Sequence, residues 1–271
     1  MIYQPNQVLC IDRKARDVSA KARQTAFVER FAQGCNGVTV SSQEALLTPT
    51  THPWCIRGMK FTGLVQQAWQ ENRTFYYIDN GYFGNQSRKN YFRIIKNHVH
   101  DIRPIIKRDN SRLIQCPGLS TKPFTSGRKI LLAPPSPKSF TLWNIDQDQW
   151  IEDTIAQIKQ HTDRPIEIRL KRIREERLIE NTMEQALADD VHCLVTYNSV
   201  AAVEAVMLGK PAIVLGPNAA AQVASHSLEE IENPRIPTHD ERQAWLNHLS
   251  YSQFTFEEMS NGTAWRILND C

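Results

Sequence analysis

The stretch LVTYNSVAAVEAVMLGKPAIVLG, residues 194–216, constrains the fold more than any other part of the chain. Two apolar runs, Cys193–Thr196 and Ala212–Leu215, flank a segment of helical length that is rich in Ala and Val. An uninterrupted apolar run is typical of a parallel strand covered on both faces. The stretch therefore predicts a βαβ unit, with Asn198 or Ser199 as the helix N-cap and an anion site in the N–H groups behind it. A purely structural βαβ unit fits the same pattern, so the rest of the chain has to decide.

Apolar runs and amphipathic segments alternate through the rest of the chain. The further predicted strands are Val8–Asp12, Val38–Val40, Thr74–Ile78, Lys129–Ala133 and Pro165–Leu170. The further predicted helices are Ser19–Ala32, Thr62–Glu71, Asp148–Gln160, Glu176–Ala188, Asp240–Ser250 and a segment around Thr255–Leu268. Because strands separated by helices of this length build parallel sheets, the sequence predicts an α/β fold of two Rossmann-like domains with parallel sheets.

A change in composition divides the chain. Residues 117–128 (PGLSTKPFTSGR) collect Pro, Gly, Ser and Thr without apolar periodicity, which predicts a linker between domains over residues 1–125 and 126–271. The net charge of +3 hides an asymmetry, because residues 1–125 carry 18 Lys and Arg against 8 Asp and Glu, whereas residues 126–271 carry 14 against 21. A basic first half suggests that it meets a polyanion, although charge scattered over a solvated surface gives the same count.

Composition argues against several classes of protein. The chain has 271 residues, of which 41% are hydrophobic and 23% charged, and no apolar run approaches the roughly 18 residues of a membrane span. The amino-terminal residues MIYQPNQVLCIDRK lack the pattern of a secretory signal, and the six cysteines are widely spaced without a CxxC pair. We therefore expect a cytoplasmic protein with free thiols, and neither a disulfide framework nor a zinc site.

Polar side chains follow three predicted strands of the second half. They are Ser136 and Lys138 after KILLA, Arg169 and Lys171 at the end of PIEIRL, and Tyr197, Asn198 and Ser199 after the run that ends at Thr196. Because the carboxyl ends of neighbouring parallel strands gather at one edge, we expect these groups to converge on an anion such as a diphosphate. Glu204, in the helix that follows, is a candidate acceptor for a ribose diol. A solvated strand end and an exposed helix carboxylate are the alternatives for Arg169, Lys171 and Glu204.

Two common nucleotide-binding motifs are missing, and one metal-like pair has a simpler explanation. The sequence contains neither GxGxxG nor GxxxxGK[ST], which argues against NAD-dependent enzymes and P-loop nucleotidases. Asp146 and Asp148 form a DxD pair of the kind that holds Mg²⁺ or Mn²⁺, but their place just before a predicted helix favours an N-cap. We therefore assign no metal ligand.

The succession KILLAPPS, IEIRLK and VTYNSVAAVEAVMLGKPAIVLG, within residues 128–216, resembles the donor-binding half of GT-B glycosyltransferases. It is most similar to capsule-type and phage-encoded members, and QFTFEEMSNGTAWRIL also resembles the tail of such phage proteins. The resemblance implies that residues 126–271 bind a nucleoside diphosphate sugar, expected to be a UDP-sugar, without a tightly bound cofactor. It also implies that the loop at Asn198 and Ser199 holds the diphosphate and that Glu204 holds the ribose, with residues 1–125 binding the acceptor.

The first half supplies candidates for the catalytic base and the acceptor site. Asp79 ends the strand TFYYI, where a carboxylate can take the proton of an attacking hydroxyl, although it also suits a turn cap. Asp12, at the end of VLCID, is the second candidate. Basic residues interleaved with aromatic ones suit phosphate contact and base stacking, or else a helix with an aromatic core face and a solvated basic face. These candidate acceptor-binding residues are Arg88, Lys89, Arg93 and Lys96.

The sequence thus predicts a metal-independent, phage-encoded GT-B-like glycosyltransferase in the host cytoplasm. The preferred acceptor is a hydroxymethylated or already glycosylated base in double-stranded phage DNA, because the first half is strongly basic. Two alternatives stay open. One is the same chemistry on a surface or capsular glycan, and the other is a non-catalytic nucleotide- or DNA-binding protein on a degenerate transferase fold.

Overall fold

The computed structural model describes residues 3–4, 6–12, 18–83, 90–117, 119, 121–171 and 182–270, without the side chains of residues 18–25. In chain order the elements are β1 (Leu9–Asp12), α1 (Val18–Cys35), β2 (Val38–Ser41), α2 (Ser42–Leu46), β3 (Trp54–Arg57), α3 (Thr62–Gln70), β4 (Phe75–Asn80), β5 (Phe92–Lys96), β6 (Lys129–Leu132), α4 (Pro137–Trp143), α5 (Gln147–His161), β7 (Ile166–Ile168), α6 (Met183–Ala188), β8 (Val191–Thr196), α7 (Ala201–Met207), β9 (Ala212–Val214), α8 (His239–Ser250), β10 (Gln253–Phe254), α9 (Phe256–Ser260) and α10 (Thr263–Asn269). The predicted α/β class with parallel sheets is confirmed.

The chain divides into two compact units. Unit 1 consists of Met1–Val99 and Ser250–Cys271, and unit 2 consists of His100–Leu249. The domains predicted from the sequence, residues 1–125 and 126–271, therefore differ from these units in two places. Unit 2 begins earlier, at His100, and residues 250–271 belong to unit 1. The carboxyl-terminal residues return to unit 1 because β10 pairs with β5, which places Phe254 opposite Phe92.

Unit 1 is built on a sheet that, within the described residues, has six strands in the order β10-β5-β4-β3-β1-β2. The strands β2, β1, β3 and β4 are parallel, whereas β5 runs antiparallel to β4 and β10 antiparallel to β5. α1, α9 and α10 pack together, and their apolar residues form a core with Phe31, Tyr76, Phe92 and Met259, all at most 3% exposed. Phe92, one of the aromatic residues that the sequence presents beside basic ones, belongs to this core.

The helical reading of the basic and aromatic segment is wrong for residues 92–96, which form β5. The first four residues of this strand, FRII, are buried, and β-branched and aromatic side chains favour a strand in such a setting. Since β5 is antiparallel to β4, its two ends lie at opposite edges of the sheet, and Asp79 pairs with Arg93 while Tyr76 pairs with Lys96.

Unit 2 contains a parallel sheet of four described strands in the order β7-β6-β8-β9. Every residue of β8 and β9 is buried, as the continuous apolar runs of the sequence predicted. α7 connects these two strands in the sequence and begins at Ala201, and β8 and β9 pair in parallel. The predicted βαβ unit over residues 194–216 is therefore confirmed.

The segment predicted as a linker instead belongs to unit 2. The Lys122 N–H donates to the Met207 carbonyl at 2.9 Å, and the Thr125 N–H donates to the Gly209 carbonyl at 3.0 Å. Gly209 has φ +73°, and a Cβ there would lie 2.0 Å from the Pro123 carbonyl oxygen. Polar backbone groups that sequence composition assigned to solvent are therefore bonded to the loop after α7.

Candidate functional site

The loops that follow β6, β7 and β8 meet at the carboxyl edge of the unit 2 sheet. The Thr196 hydroxyl, at the end of β8, donates to the Ala133 carbonyl after β6 at 2.6 Å. The Arg169 N–H, after β7, donates to the Leu132 carbonyl at 2.8 Å. The three strand ends that the sequence singled out are thus neighbours, in the place where ligands bind in open α/β sheets.

Asn198 links two of these loops from inside the fold. Its side chain is buried, and its Oδ1 accepts a hydrogen bond from the Ser139 hydroxyl at 2.9 Å. Its Nδ2 is also buried and has no hydrogen-bond partner among the described residues. A buried amide donor without a partner costs free energy. The loop therefore keeps an unpaired N–H donor of Asn198 inside the fold, and this side chain is not solvated.

Ser199 and Ser136 present hydroxyl groups closer to the surface. Ser199 is half-buried, and its Oγ accepts a hydrogen bond from the Ala201 N–H at 3.3 Å. The N-cap of α7 is Val200, which makes no side-chain capping bond, so the prediction of Asn198 or Ser199 as N-cap is wrong by one or two residues. Ser136 is the N-cap of α4, is half-buried, and makes no side-chain capping bond. Lys138, in the first turn of α4, is exposed. These three residues therefore lie beside the loop of Asn198 with groups that a ligand can reach.

The charged residues of the predicted site share one electrostatic environment. Glu204 lies in the first turn of α7 and is half-buried. Burial raises the pKa of the Glu204 carboxyl from 4.5 to about 7, although the nearby charges of Lys171 and Arg169 act in the opposite direction. The structure thus brings together two cations and one carboxyl group that the sequence assigned to a nucleotide diphosphate and its ribose.

Tyr197 belongs to an aromatic cluster beside the same loop. Its ring centroid lies 6.2–6.3 Å from those of Phe140, Trp143 and Trp150. A Cβ at Gly216 would lie 2.6 Å from the Tyr197 ring, so the ring rests against the backbone after β9. Tyr197 is half-buried, and its position is set by packing on both sides.

Asp79, the predicted base in unit 1, has four partners. Its Oδ1 accepts from Arg57 Nη1 at 2.9 Å and from the Asn80 N–H at 2.8 Å, and its Oδ2 accepts from the Tyr77 hydroxyl at 3.0 Å and from Arg93 Nη2 at 3.3 Å. Burial alone raises the pKa of Asp79, but Arg93 and Arg57 outweigh it and lower the pKa well below its ordinary value. A carboxylate in this state is a weak base, and its contacts are those of a structural ion pair.

The two described residues of the predicted acceptor set, Arg93 and Lys96, do not share one surface. Arg93 is buried, and besides Asp79 it donates to the Asn80 and Val99 carbonyls at 2.8 and 3.2 Å. Lys96 is exposed at the other end of β5, where its Nζ donates to Asn269 Oδ1 at 2.8 Å. Arg88 and Lys89 lie outside the described residues. A continuous basic stripe is therefore not present among the described members of this set.

The other acidic candidates of the sequence lie at the end of β1 and at the start of α5. Asp12 ends β1 and is half-buried. Asp146 is the N-cap of α5, where its Oδ1 accepts from the Gln149 N–H at 2.9 Å, so the capping interpretation of the DxD pair is confirmed. Among the described residues, no three His, Cys, Asp or Glu side chains are grouped to hold a metal ion, and no helix has the length and apolar character needed to cross a bilayer.

Sequence reasoning missed three residues of these edges. Ser139 holds Asn198, Asn218 Nδ2 donates to the Ser199 carbonyl at 3.0 Å, and Arg57 pairs with Asp79. Arg57 follows the buried strand WCIR, so its position at a strand end was a usable signal. Ser139 and Asn218 carry no local signal, since their roles depend on contacts made far along the chain.

No protein-family model matches the sequence, and no curated protein matches it. Two solved structures from Thermosulfurimonas dismutans share its fold. KpsC, beta Kdo 2,7 transferase, has a TM-score of 0.54 and 13% identity, and covers 97% of this chain and 99% of its own. KpsC, beta Kdo 2,4 transferase, has a TM-score of 0.50 and 14% identity, with 93% of each chain covered.

At this level of identity the similarity establishes the fold. The fold class predicted from the βαβ pattern is confirmed, because this chain has the α/β fold of these two transferases over nearly its whole length. The phage-encoded part of the expected resemblance gains no support from these structures.

Proposed function

We propose that the chain is a glycosyltransferase that moves a sugar from a nucleotide sugar to a hydroxyl group of a glycan. The observation that carries the proposal is the meeting of Arg169, Lys171 and Glu204 at the carboxyl edge of the unit 2 sheet, beside the loop of Asn198 and Ser199. This combination of cations, hydroxyl groups and a single carboxyl group suits a sugar nucleotide, whose phosphates and ribose need both kinds of partner.

In this proposal unit 2 binds the donor. Arg169 and Lys171 neutralise the phosphate oxygens as the bond to the sugar breaks, and Ser136 and Ser199 donate hydrogen bonds to the same oxygens. Glu204 accepts hydrogen bonds from the ribose hydroxyl groups, and Tyr197 lines the pocket beside it. Lys138 is exposed near Ser136 and contributes charge from the surface. UDP-sugars are the first donors to test.

The acceptor proposed here is a surface or capsular glycan, in place of the modified DNA that the basic first half suggested. Both solved structures with this fold are named as transferases of Kdo, a sugar. In addition, Arg93 is buried and Lys96 lies at the opposite end of β5, so the described residues of this set offer no continuous surface for a duplex. Modified duplex DNA is therefore kept as the alternative acceptor, and the experiment below compares the two.

A catalytic base in unit 1 would take the proton of the acceptor hydroxyl. We favour Asp12 over Asp79 for this role, because Asp79 forms ion pairs with Arg57 and Arg93, which lower its pKa. Asp12 ends β1 at the same edge of the sheet and is half-buried. Asp12→Asn should then abolish turnover while donor binding persists.

The experiment is release of free nucleotide from UDP-, GDP- and CMP-activated sugars, with and without glycan acceptors or hydroxymethylated duplex DNA. Arg169→Ala and Lys171→Ala should each weaken donor binding by about 10- to 100-fold, the usual value of one charge-assisted hydrogen bond. Arg128→Ala, an exposed arginine of the same unit, is the matched control. Absence of binding and turnover with every donor would instead support the non-catalytic alternative, and turnover only with DNA would restore the first acceptor.

A further inference from the structure

Ser199 is placed by hydrogen bonds that leave its own hydroxyl proton unused. Its Oγ accepts from the Ala201 N–H at 3.3 Å, and its backbone N–H donates to the Thr196 hydroxyl oxygen at 3.3 Å. A serine hydroxyl has one proton to donate, and no described residue accepts it. Because Asn198 is only 2% exposed whereas Ser199 is half-buried, Ser199 is the member of this pair that a ligand can reach.

Asn218, in the loop after β9, holds the carbonyl group of Ser199. It is only 1% exposed, and its Nδ2 donates to the Ser199 carbonyl at 3.0 Å. The Oδ1 of the same amide accepts from the Ala220 N–H at 2.9 Å, and an acceptor is needed at that position. The bond to Ala220 therefore fixes which way round the amide lies, and it directs the N–H group at Ser199. The Ser199 carbonyl also accepts the Ala202 N–H at 3.2 Å, so the Asn218 bond adds an anchor from a distant segment.

The loop after β9 also supports the other end of the segment 197–199. A Cβ at Gly216 would lie 2.6 Å from the Tyr197 ring, so the ring lies directly against the backbone there. Gly216 thus contacts Tyr197 by packing, and Asn218 contacts Ser199 by a hydrogen bond. The conformation of the loop after β8 therefore depends on residues 216–220, which belong to the neighbouring strand end.

We propose that Asn218 is a positioning residue of the donor site, which fixes the peptide group of Ser199 so that the Ser199 hydroxyl donates to a phosphate oxygen of the nucleotide sugar. This inference rests on the proposed glycosyltransferase function and adds a buried residue that acts through Ser199. A group held in place before its ligand arrives loses little conformational entropy on binding, and a displaced hydroxyl makes a weaker hydrogen bond. Loss of the Asn218 bond should therefore weaken donor binding, although no contact with the donor is removed.

The direct test is a double-mutant cycle on the affinity for UDP, GDP or CMP, measured by calorimetry with whichever the wild-type protein binds most tightly. Asn218→Asp keeps an acceptor for the Ala220 N–H but has no N–H for the Ser199 carbonyl. We expect Asn218→Asp and Ser199→Ala each to lose about 3- to 10-fold in affinity. The double variant should lose no more than the larger single loss, because the hydroxyl through which Asn218 acts is already absent.

Two further variants remove the effects of charge and folding. Asn218→Ala introduces no buried charge and should show the same coupling to Ser199→Ala, so it decides the cycle if Asn218→Asp does not fold. Asn233→Asp makes the same chemical change at an exposed asparagine of unit 2 and should leave the affinity unchanged. A thermal melt of each variant checks that unit 2 is folded.

The outcomes separate this inference from the proposed function. Unchanged affinity in both Asn218 variants overturns the inference even if the wild-type protein releases nucleotide from a donor. Single losses that multiply in the double variants also overturn it, because a purely structural or charge effect persists without the Ser199 hydroxyl. Absence of nucleotide binding and release with the wild-type protein refutes the proposed function, and the inference falls with it.

Discussion

Replacing Glu204 with Gln should stabilise the protein at high pH and weaken donor binding. Glu204 is half-buried in the first turn of α7, and burial raises the pKa of its carboxyl from 4.5 to about 7. Below about pH 4.5 this group is protonated in both the folded and the unfolded chain, so it has no effect on stability. As pH rises to 7 the unfolded chain loses its proton first, so the free energy of unfolding falls, and above pH 7 the full cost is present.

The size of the effect follows from the same values. A pKa raised from 4.5 to about 7 corresponds to about 3 kcal/mol of lost stability at pH 8, at 1.36 kcal/mol per pKa unit. Partial exposure of Glu204 screens part of this cost, so about 1–2 kcal/mol is the expected difference. Gln cannot ionise, so the variant should be about 1–2 kcal/mol more stable than wild type at pH 8 and nearly equal at pH 4.5.

Urea unfolding at pH 4.5 and pH 8, with and without a UDP-sugar, measures both effects. Without donor, Glu204→Gln should unfold at a higher urea concentration only at pH 8. With donor, the added stabilisation should be smaller in the variant, because the amide accepts ribose hydroxyl groups less well than a carboxylate. Glu152→Gln, at an exposed position of α5, should change neither measurement. An equal gain at both pH values, or a loss at pH 8, would refute the inference that a buried carboxyl group lies beside Arg169 and Lys171.

Two further substitutions test the structural roles assigned above. Asp79→Asn leaves Arg57 and Arg93 without a negative partner and should cost about 2–4 kcal/mol at pH 7, somewhat less than a fully buried pair. Because the folded pKa of Asp79 is lowered, its contribution is complete above about pH 4 and declines as pH falls toward the folded pKa, so the difference in urea unfolding between wild type and variant should narrow progressively below pH 4. Unchanged stability at pH 7 with loss of turnover would restore Asp79 as the base. Gly209→Ala places a Cβ 2.0 Å from the Pro123 carbonyl at φ +73° and should cost about 3 kcal/mol, seen in calorimetry as a Tm lower by about 6–10 °C. Gly63→Ala, in the first turn of α3 with open space at its Cβ, is the control and should be neutral or stabilising.

The sequence carried the fold class because burial on both faces of a sheet leaves a local record. β8 and β9 are buried at every position and, apart from His192 and Thr196, apolar. α7, which connects them, consists mostly of Ala and Val, so residues 194–216 predicted a parallel sheet by themselves. That the strand ends of unit 2 gather at one edge followed from the same pattern, which is why Arg169, Lys171 and Glu204 could be assigned to one edge from the sequence.

Long-range pairing decided what the sequence left open. β5 reads locally as an interleaved basic and aromatic segment, and it becomes a strand because it pairs with β4 and β10, of which β10 lies more than 150 residues away in the chain. The same pairing returns the carboxyl-terminal residues to unit 1 and buries Arg93 against Asp79. Residues 117–128 look like a linker by composition, and only their bonds to the loop at Gly209 place them in unit 2.

Local periodicity thus determined the α/β class, the parallel strands and the carboxyl edge of the unit 2 sheet, since each depends on the burial of neighbouring residues. Tertiary structure alone decided the limits of the two units and the ion-paired state of Asp79. The physical reason is that charge pairing and hydrogen-bond satisfaction depend on side chains brought together from distant segments, and a one-dimensional pattern does not encode those distances.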